Sequence, residues 1–246
     1  MIQAIKTTNL TKAFGDRVAV NQINISVDQG EIFGFLGPNG AGKTTTIRML
    51  TGQLLPSAGS ATVSGYDILT QRDEIKSQIG VVFEHQNLYE RLSARDNLNF
   101  MRNLFCIGRD RVDCVLRLVG LEDRADEMVK KYSNGMKQRL LIARSLLHEP
   151  SILFLDEPTR GLDPMIAHDI RVLISNLVQD GHTIFLTTHY MEEADQLCHK
   201  IALLDHGEII AKGSPEQLKR DHGPTLEQVF IHLVHSPLKA GSRYES

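Results

Sequence analysis

The stretch Gly37-Pro38-Asn39-Gly40-Ala41-Gly42-Lys43-Thr44 limits what this chain can become more than any other. An apolar run, Ile32-Phe33-Gly34-Phe35-Leu36, precedes it, and Thr45-Thr46-Ile47-Arg48-Met49-Leu50 follows. That order predicts a strand, a glycine-rich turn and a helix. The spacing G-x-x-x-x-G-K-T is that of a phosphate loop. Glycines remove side chains from between backbone and ligand, so successive N–H groups can face phosphate oxygens. The helix start adds unpaired N–H groups and the positive end of its dipole. Lys43 supplies a full charge for the outer phosphates, and the Thr44 hydroxyl suits a magnesium ion. A nucleotide is the expected ligand, held by residues 37–45.

The rest of the chain narrows the choice of partner. Net charge is −3 over 246 residues, so no basic field favours nucleic acid. Apolar runs fall well short of the roughly 18 residues a membrane span needs, and the N-terminus lacks the shape of a signal peptide. A soluble, cytosolic chain is expected, one that can still dock on a membrane protein. Cys106, Cys114 and Cys198 form no metal pattern, and each is expected to pack as a small apolar group.

Four apolar runs end in polar residues, at Gly37, Glu84, Asp156-Glu157 and His189. Runs that are apolar throughout and separated by helical stretches predict a parallel sheet covered on both faces. Ligands of such sheets sit outside the carboxyl ends of the strands, which places all four endings on one rim. Asp156 is then positioned to share a phosphate-bound magnesium with Thr44. Two adjacent acids repel unless a cation holds one, which leaves Glu157 to orient or deprotonate an attacking water. Pro158 restricts the residue before it and predicts an extended Glu157. His189 is expected to contact the terminal phosphate. Alternating residues over 2–27 and a strand pair around Gly65 predict a small antiparallel sheet beside the core. Helical patterns from a Ser93 cap through about residue 149 predict a helical lobe inserted over about 86–149.

Together these residues resemble the ATPase subunit of ABC transporters, over about residues 2–235. Tyr132-Ser133-Asn134-Gly135-Met136-Lys137-Gln138-Arg139 is similar to the family signature usually written L-S-G-G-Q. Ser133 and Gly135 keep that pattern, while Asn134 and Met136-Lys137 depart from it. The variant resembles a form common in exporter ATPases of the antibiotic, sodium and lipid type. Gly161-Leu162-Asp163 resembles the D-loop, His189 the switch histidine, and Phe14 stands where the family stacks an aromatic ring on adenine. The family has glutamine where this chain has Glu84, with Gln86 two residues later. A carboxylate there is a further candidate for the magnesium ion or the water.

The resemblance implies an α/β fold: a P-loop NTPase (RecA-like) with a mostly parallel sheet core, an antiparallel β subdomain and an inserted helical lobe. The expected layout is a single domain over 2–235, with core segments 2–85 and 150–235 and a loose tail at 236–246. It also implies ATP and Mg2+ as cofactors, Glu157 and His189 as catalytic residues, and Thr44, Asp156 and Glu84 as metal candidates. A second subunit, in a homodimer, would bring Ser133 and Gly135 over the phosphates, and a separate transmembrane permease would be driven to export substrate from the cytoplasmic face. The rival readings are a soluble ATPase acting on ribosomes or DNA, and an importer ATPase. No N-K-x-D guanine motif supports a GTPase.

Overall fold

The computed structural model describes residues 3–84 and 87–235. Gln86 and the tail at 236–246 therefore lie outside the described residues. Strands β1 (Gln3–Phe14) and β2 (Arg17–Ile23) form a hairpin, and β3 (Ser26–Asp28) pairs back on β1. Strand β4 (Ile32–Leu36) runs into helix α1 (Lys43–Leu50) through the glycine-rich turn. Strands β5 (Ala58–Val63) and β6 (Tyr66–Asp67) return to the antiparallel sheet, before α2 (Arg72–Gln78) and β7 (Ile79–Val82). Helices α3 (Ala94–Leu104), α4 (Asp110–Leu118) and α5 (Asn134–Ser145) follow, with two short 3-10 turns between α4 and α5. Then come β8 (Ile152–Asp156), α6 (Pro164–Gln179), β9 (Thr183–Thr188), α7 (Met191–Leu197), β10 (Lys200–Asp205) and β11 (Glu208–Gly213). Helices α8 (Pro215–His222) and α9 (Leu226–His235) close the described chain.

The main sheet has the order β11-β10-β4-β9-β8-β7, parallel except for the β10–β11 hairpin. Side chains alternate between its faces. Leu36, Leu153, Leu155, Ile184 and Leu186 join one cluster with the buried faces of α3 to α6. Phe33, Phe35, Phe154 and Phe185 point the other way, into a cluster shared with α1 and the antiparallel sheet. Phe185 is the hub of this second layer, with ring centroids 5.4 to 5.7 Å from the other three. Each such ring contributes about 1.5–3 kcal/mol through burial. Because α3 to α5 share their cluster with the strands, the helical segment is fastened to the sheet rather than hung from it.

Register fixes the rim. Phe35 pairs with Thr187 and Leu36 with Thr188, Asp156 pairs with Thr187, and Val82 with Leu155. The chain segments that leave β4, β9, β8 and β7 thus emerge side by side. Three expectations need correction. Helices α2, α8 and α9 add to those the sequence patterns predict; of the seven residues of α2 only Ile75 is buried, so its apolar face has no period to read. Cys198 is buried, but Cys106 and Cys114 are exposed: Cys106 lies in the turn after α3, and α4 turns Val112, Val115 and Leu116 inward in place of Cys114. Glu157 is not extended: its φ is 54°, in the left-handed region, where the chain turns away from β8 while its N–H still reaches the Thr187 carbonyl at 3.0 Å.

Candidate functional site

The turn between β4 and α1 is held open by backbone geometry. Gly42 caps α1 at φ 105°, and a Cβ there would lie 2.5 Å from the carbonyl oxygen of Ala19. No other residue tolerates both conditions. The first N–H groups of α1 therefore face the turn, and with Asn39, Gly40, Thr44 and Thr45 they border a cavity of about 500 Å3. Phe14 and Arg17, from the β1–β2 turn, form another wall. Phe14 is half exposed, and the Lys12 ammonium lies over its ring, 5.0 Å from the centre.

Lys43 and Glu157 border the same cavity, while His189 lines a neighbouring one and reaches it through Glu157. Lys43 Nζ donates to the carbonyls of Gly37 at 2.7 Å and Pro38 at 3.2 Å. It also stands 3.1 Å from Glu157 Oε1, an ion pair without hydrogen-bond alignment. Only 6% of the Lys43 side chain and 4% of the Glu157 side chain are exposed, so water screens the pair weakly. His189 Nδ1 donates to Glu157 Oε2 at 2.7 Å. One carboxylate is thus fixed between a lysine and a histidine, one oxygen toward each.

Asp156 is buried, and both its oxygens are used. Thr44 Oγ1 donates to Oδ2 at 2.7 Å and Thr187 Oγ1 donates to Oδ1. A hydroxyl and a carboxylate are hard oxygen donors of the kind magnesium takes, one or two from protein beside phosphate and water. Among the described residues no group of three His, Cys, Asp or Glu gathers as a metal cage.

The turn after Glu157 is tied down by residues that the sequence patterns do not single out. Arg160 N–H closes it on the Glu157 carbonyl at 3.1 Å, and the Arg160 guanidinium pairs with Glu84. Thr159 Oγ1 donates to Glu193 Oε1 at 2.7 Å. Glu193 is buried on α7, and burial pushes its carboxyl pKa up. The signal for these three is tertiary: Arg160 and Glu84 are 76 positions apart, Thr159 and Glu193 34. Glu84 borders the cavity, engaged by arginine.

Ser133 and Gly135 lie elsewhere and line no part of this cavity. Ser133 caps α5, its Oγ accepting from Met136 N–H at 3.2 Å. Gly135 is buried where a Cβ would collide with Ile166 of α6.

Comparison with known proteins agrees with this geometry. A family model described as ABC transporter matches residues 20–160. The chain is 40% identical to the probable multidrug ABC transporter ATP-binding protein YbhF of Escherichia coli K12, over 94% of this chain and 42% of that protein. It therefore spans about two fifths of that relative's length. It is 42% identical to the bacitracin transport ATP-binding protein BcrA of Bacillus licheniformis, over 92% of this chain and 75% of that one. The solved structure of cbiO1 from Clostridium perfringens, part of the ABC transporter complex cbiONQ, superposes with a TM-score of 0.83 at 28% identity, covering 98% of both chains. Agreement in sequence and in fold over nearly the full length leads to one conclusion: the chain belongs to the ABC transporter family, among its ATP-binding proteins.

Proposed function

We propose that this chain binds ATP with Mg2+ and hydrolyses it to drive export through a separate membrane-spanning permease. The observation that carries the reading is the setting of Glu157, fixed between Lys43 and His189 beside a phosphate loop whose Thr44 touches Asp156. A triphosphate in the loop competes with Gly37, Pro38 and Glu157 for the Lys43 ammonium, so Glu157 is released toward a water while His189 keeps hold of its other oxygen. Thr44 and Asp156 would hold magnesium, which when bound neutralises charge on the phosphates. Phe14 would stack on the adenine.

Residues 2–235 act in this reading as one domain, with the helices between 94 and 145 as its lobe. Two copies pair, and Ser133 and Gly135 of each cover the phosphates held by the other, with the α5 N-terminus as the anion site. Among the described residues no helix is long and apolar enough to cross a membrane, and in this reading the membrane path belongs to a separate permease. Residence on the cytoplasmic face follows from where ATP is found. The names of YbhF and BcrA, a probable multidrug ABC transporter ATP-binding protein and a bacitracin transport ATP-binding protein, and that of the Nod factor export ATP-binding protein I of a Rhizobium strain support the export reading.

Phosphate release from ATP with magnesium tests the reading. The parent chain should turn over and Lys43→Ala should fall by at least about a hundredfold. Equal rates for the two would remove the phosphate loop from the chemistry.

A further inference from the structure

The cavity that would take the nucleotide carries a carboxylate with no obvious place in an anion site. Glu84 leaves the rim at the end of β7 and borders the same space as Lys43 and Thr44. A nucleotide triphosphate with magnesium remains anionic, so a free carboxylate beside it repels it. Arg160 stands on the opposite side of the gap, in the turn that starts at Glu157, and its Nη1 pairs with Glu84 Oε1. Both side chains are partly exposed, at 41% and 34%. A pair this wet adds little to folding, and its effect falls instead on whatever enters the cavity.

We propose that Arg160 is a positioning residue for nucleotide binding: by pairing with Glu84 it cancels that carboxylate's charge and draws it aside from the phosphates. This rests on the ATPase reading above. The pair joins the segments that follow β7 and β8, and both residues line the cavity. The arrangement accounts for a carboxylate being tolerated at a position where a neutral side chain would otherwise be simpler. Arg160 acts through Glu84, and its importance should vanish when Glu84 loses its charge.

A double-mutant cycle tests this. The full chain, Arg160→Ala, Glu84→Gln and the double variant are compared for affinity toward ATP with magnesium, for KM and for kcat. Arg160→Ala should weaken affinity and raise KM by about tenfold, the size expected of one unit charge within a Debye length of the phosphates. Its kcat should stay within about twofold, because the chemistry-bearing groups are untouched. The double variant should return to within about threefold of the parent, and Arg160→Lys should keep most of the parental affinity. The tenfold effect should shrink at about 1 M salt, where the Debye length is about 3 Å.

Equal loss in Arg160→Ala and in the double variant would overturn the proposal, since Arg160 would then act on the nucleotide directly. Loss of kcat in both single variants without recovery would overturn it too, by giving the pair a mechanical role. Arg160→Ala indistinguishable from the parent overturns it while leaving the ATPase reading intact. A parent chain with no affinity for ATP and magnesium overturns both.

Discussion

Thr44 and Asp156 meet at 2.7 Å, hydroxyl to carboxylate, across the junction of α1 and β8. They are 112 positions apart, and the contact joins the start of the phosphate loop's helix to the end of the sheet's buried strand. Since Thr187 donates to the other Asp156 oxygen, the carboxylate is held by two hydroxyls that can each rotate. Asp156→Asn should therefore fold: a hydroxyl that loses its acceptor can turn and accept from the new amide. In the proposed reading, where Thr44 and Asp156 hold magnesium, metal binding should suffer. ATP affinity of the parent should rise when magnesium replaces a chelator, while Asp156→Asn should show no such gain and a kcat at least about a hundredfold lower. A variant with parental magnesium dependence would remove Asp156 from the metal's reach.

Much of this site is readable in the sequence because its parts are local. Gly37 to Thr44 is one unbroken stretch, and β8 and β9 announce their ends by passing from apolar to polar at Asp156 and His189. Ser93 and Ser214 sit in cap patterns, although only the first is followed by a helix in our reading of the sequence. What is hidden depends on distant contacts. The left-handed backbone of Glu157 belongs to the turn that leaves β8, closed by Arg160 N–H on the Glu157 carbonyl, and runs against the extended form that Pro158 favours. The Arg160–Glu84 and Thr159–Glu193 contacts need the sheet to exist before they can form. In α9 only Leu226 and Val229 are buried, too few to show a stripe in ten residues.

Glu157 tests the chemistry most directly. Glu157→Gln keeps the volume and an oxygen for His189 but loses the charge facing Lys43. Hydrolysis should fall by about a hundredfold to ten-thousandfold, the range for loss of a general base. ATP binding should persist or tighten, since Lys43 no longer has a carboxylate rival for the phosphates. Gel filtration with ATP and magnesium should then give a dimer that lasts for the run. Parental turnover in Glu157→Gln would assign the base to another group.

Glu193 offers a pH test. It is buried behind the turn that follows Glu157, its Oε2 makes no hydrogen bond among the described residues, and burial raises its pKa above the ordinary 4.5. The folded chain therefore holds this proton more tightly than the unfolded chain. Its contribution to stability is complete below about pH 4.5 and is lost as pH rises through the raised folded value, beyond which it stays constant. Glu193→Gln retains an acceptor for Thr159 and has no proton to lose. Urea midpoints from pH 4.5 upward should fall more steeply in the parent than in the variant. Parallel curves would mean that Glu193 titrates alike in both states.

Shared sites can be tested by mixing defects. Ser133 stands apart from the cavity of its own chain, and the proposed pairing gives it a place over the phosphates of another copy. In a two-fold dimer, Lys43→Ala spoils the loop of one chain and Ser133→Arg spoils the cover supplied by the other. A mixed pair then has one site with both defects and one site with neither. Equal amounts of the two chains, exchanging freely, form mixed pairs half the time, so about a quarter of parental activity should return. Each variant alone should be inactive. The arginine also removes the α5 cap, at a cost of about 1 kcal/mol, so thermal melts of Ser133→Arg must first show a folded chain. Activity that stays absent at every mixing ratio, with both chains folded, would confine the site to a single copy and leave the pairing of α5 with a neighbour's phosphates without support.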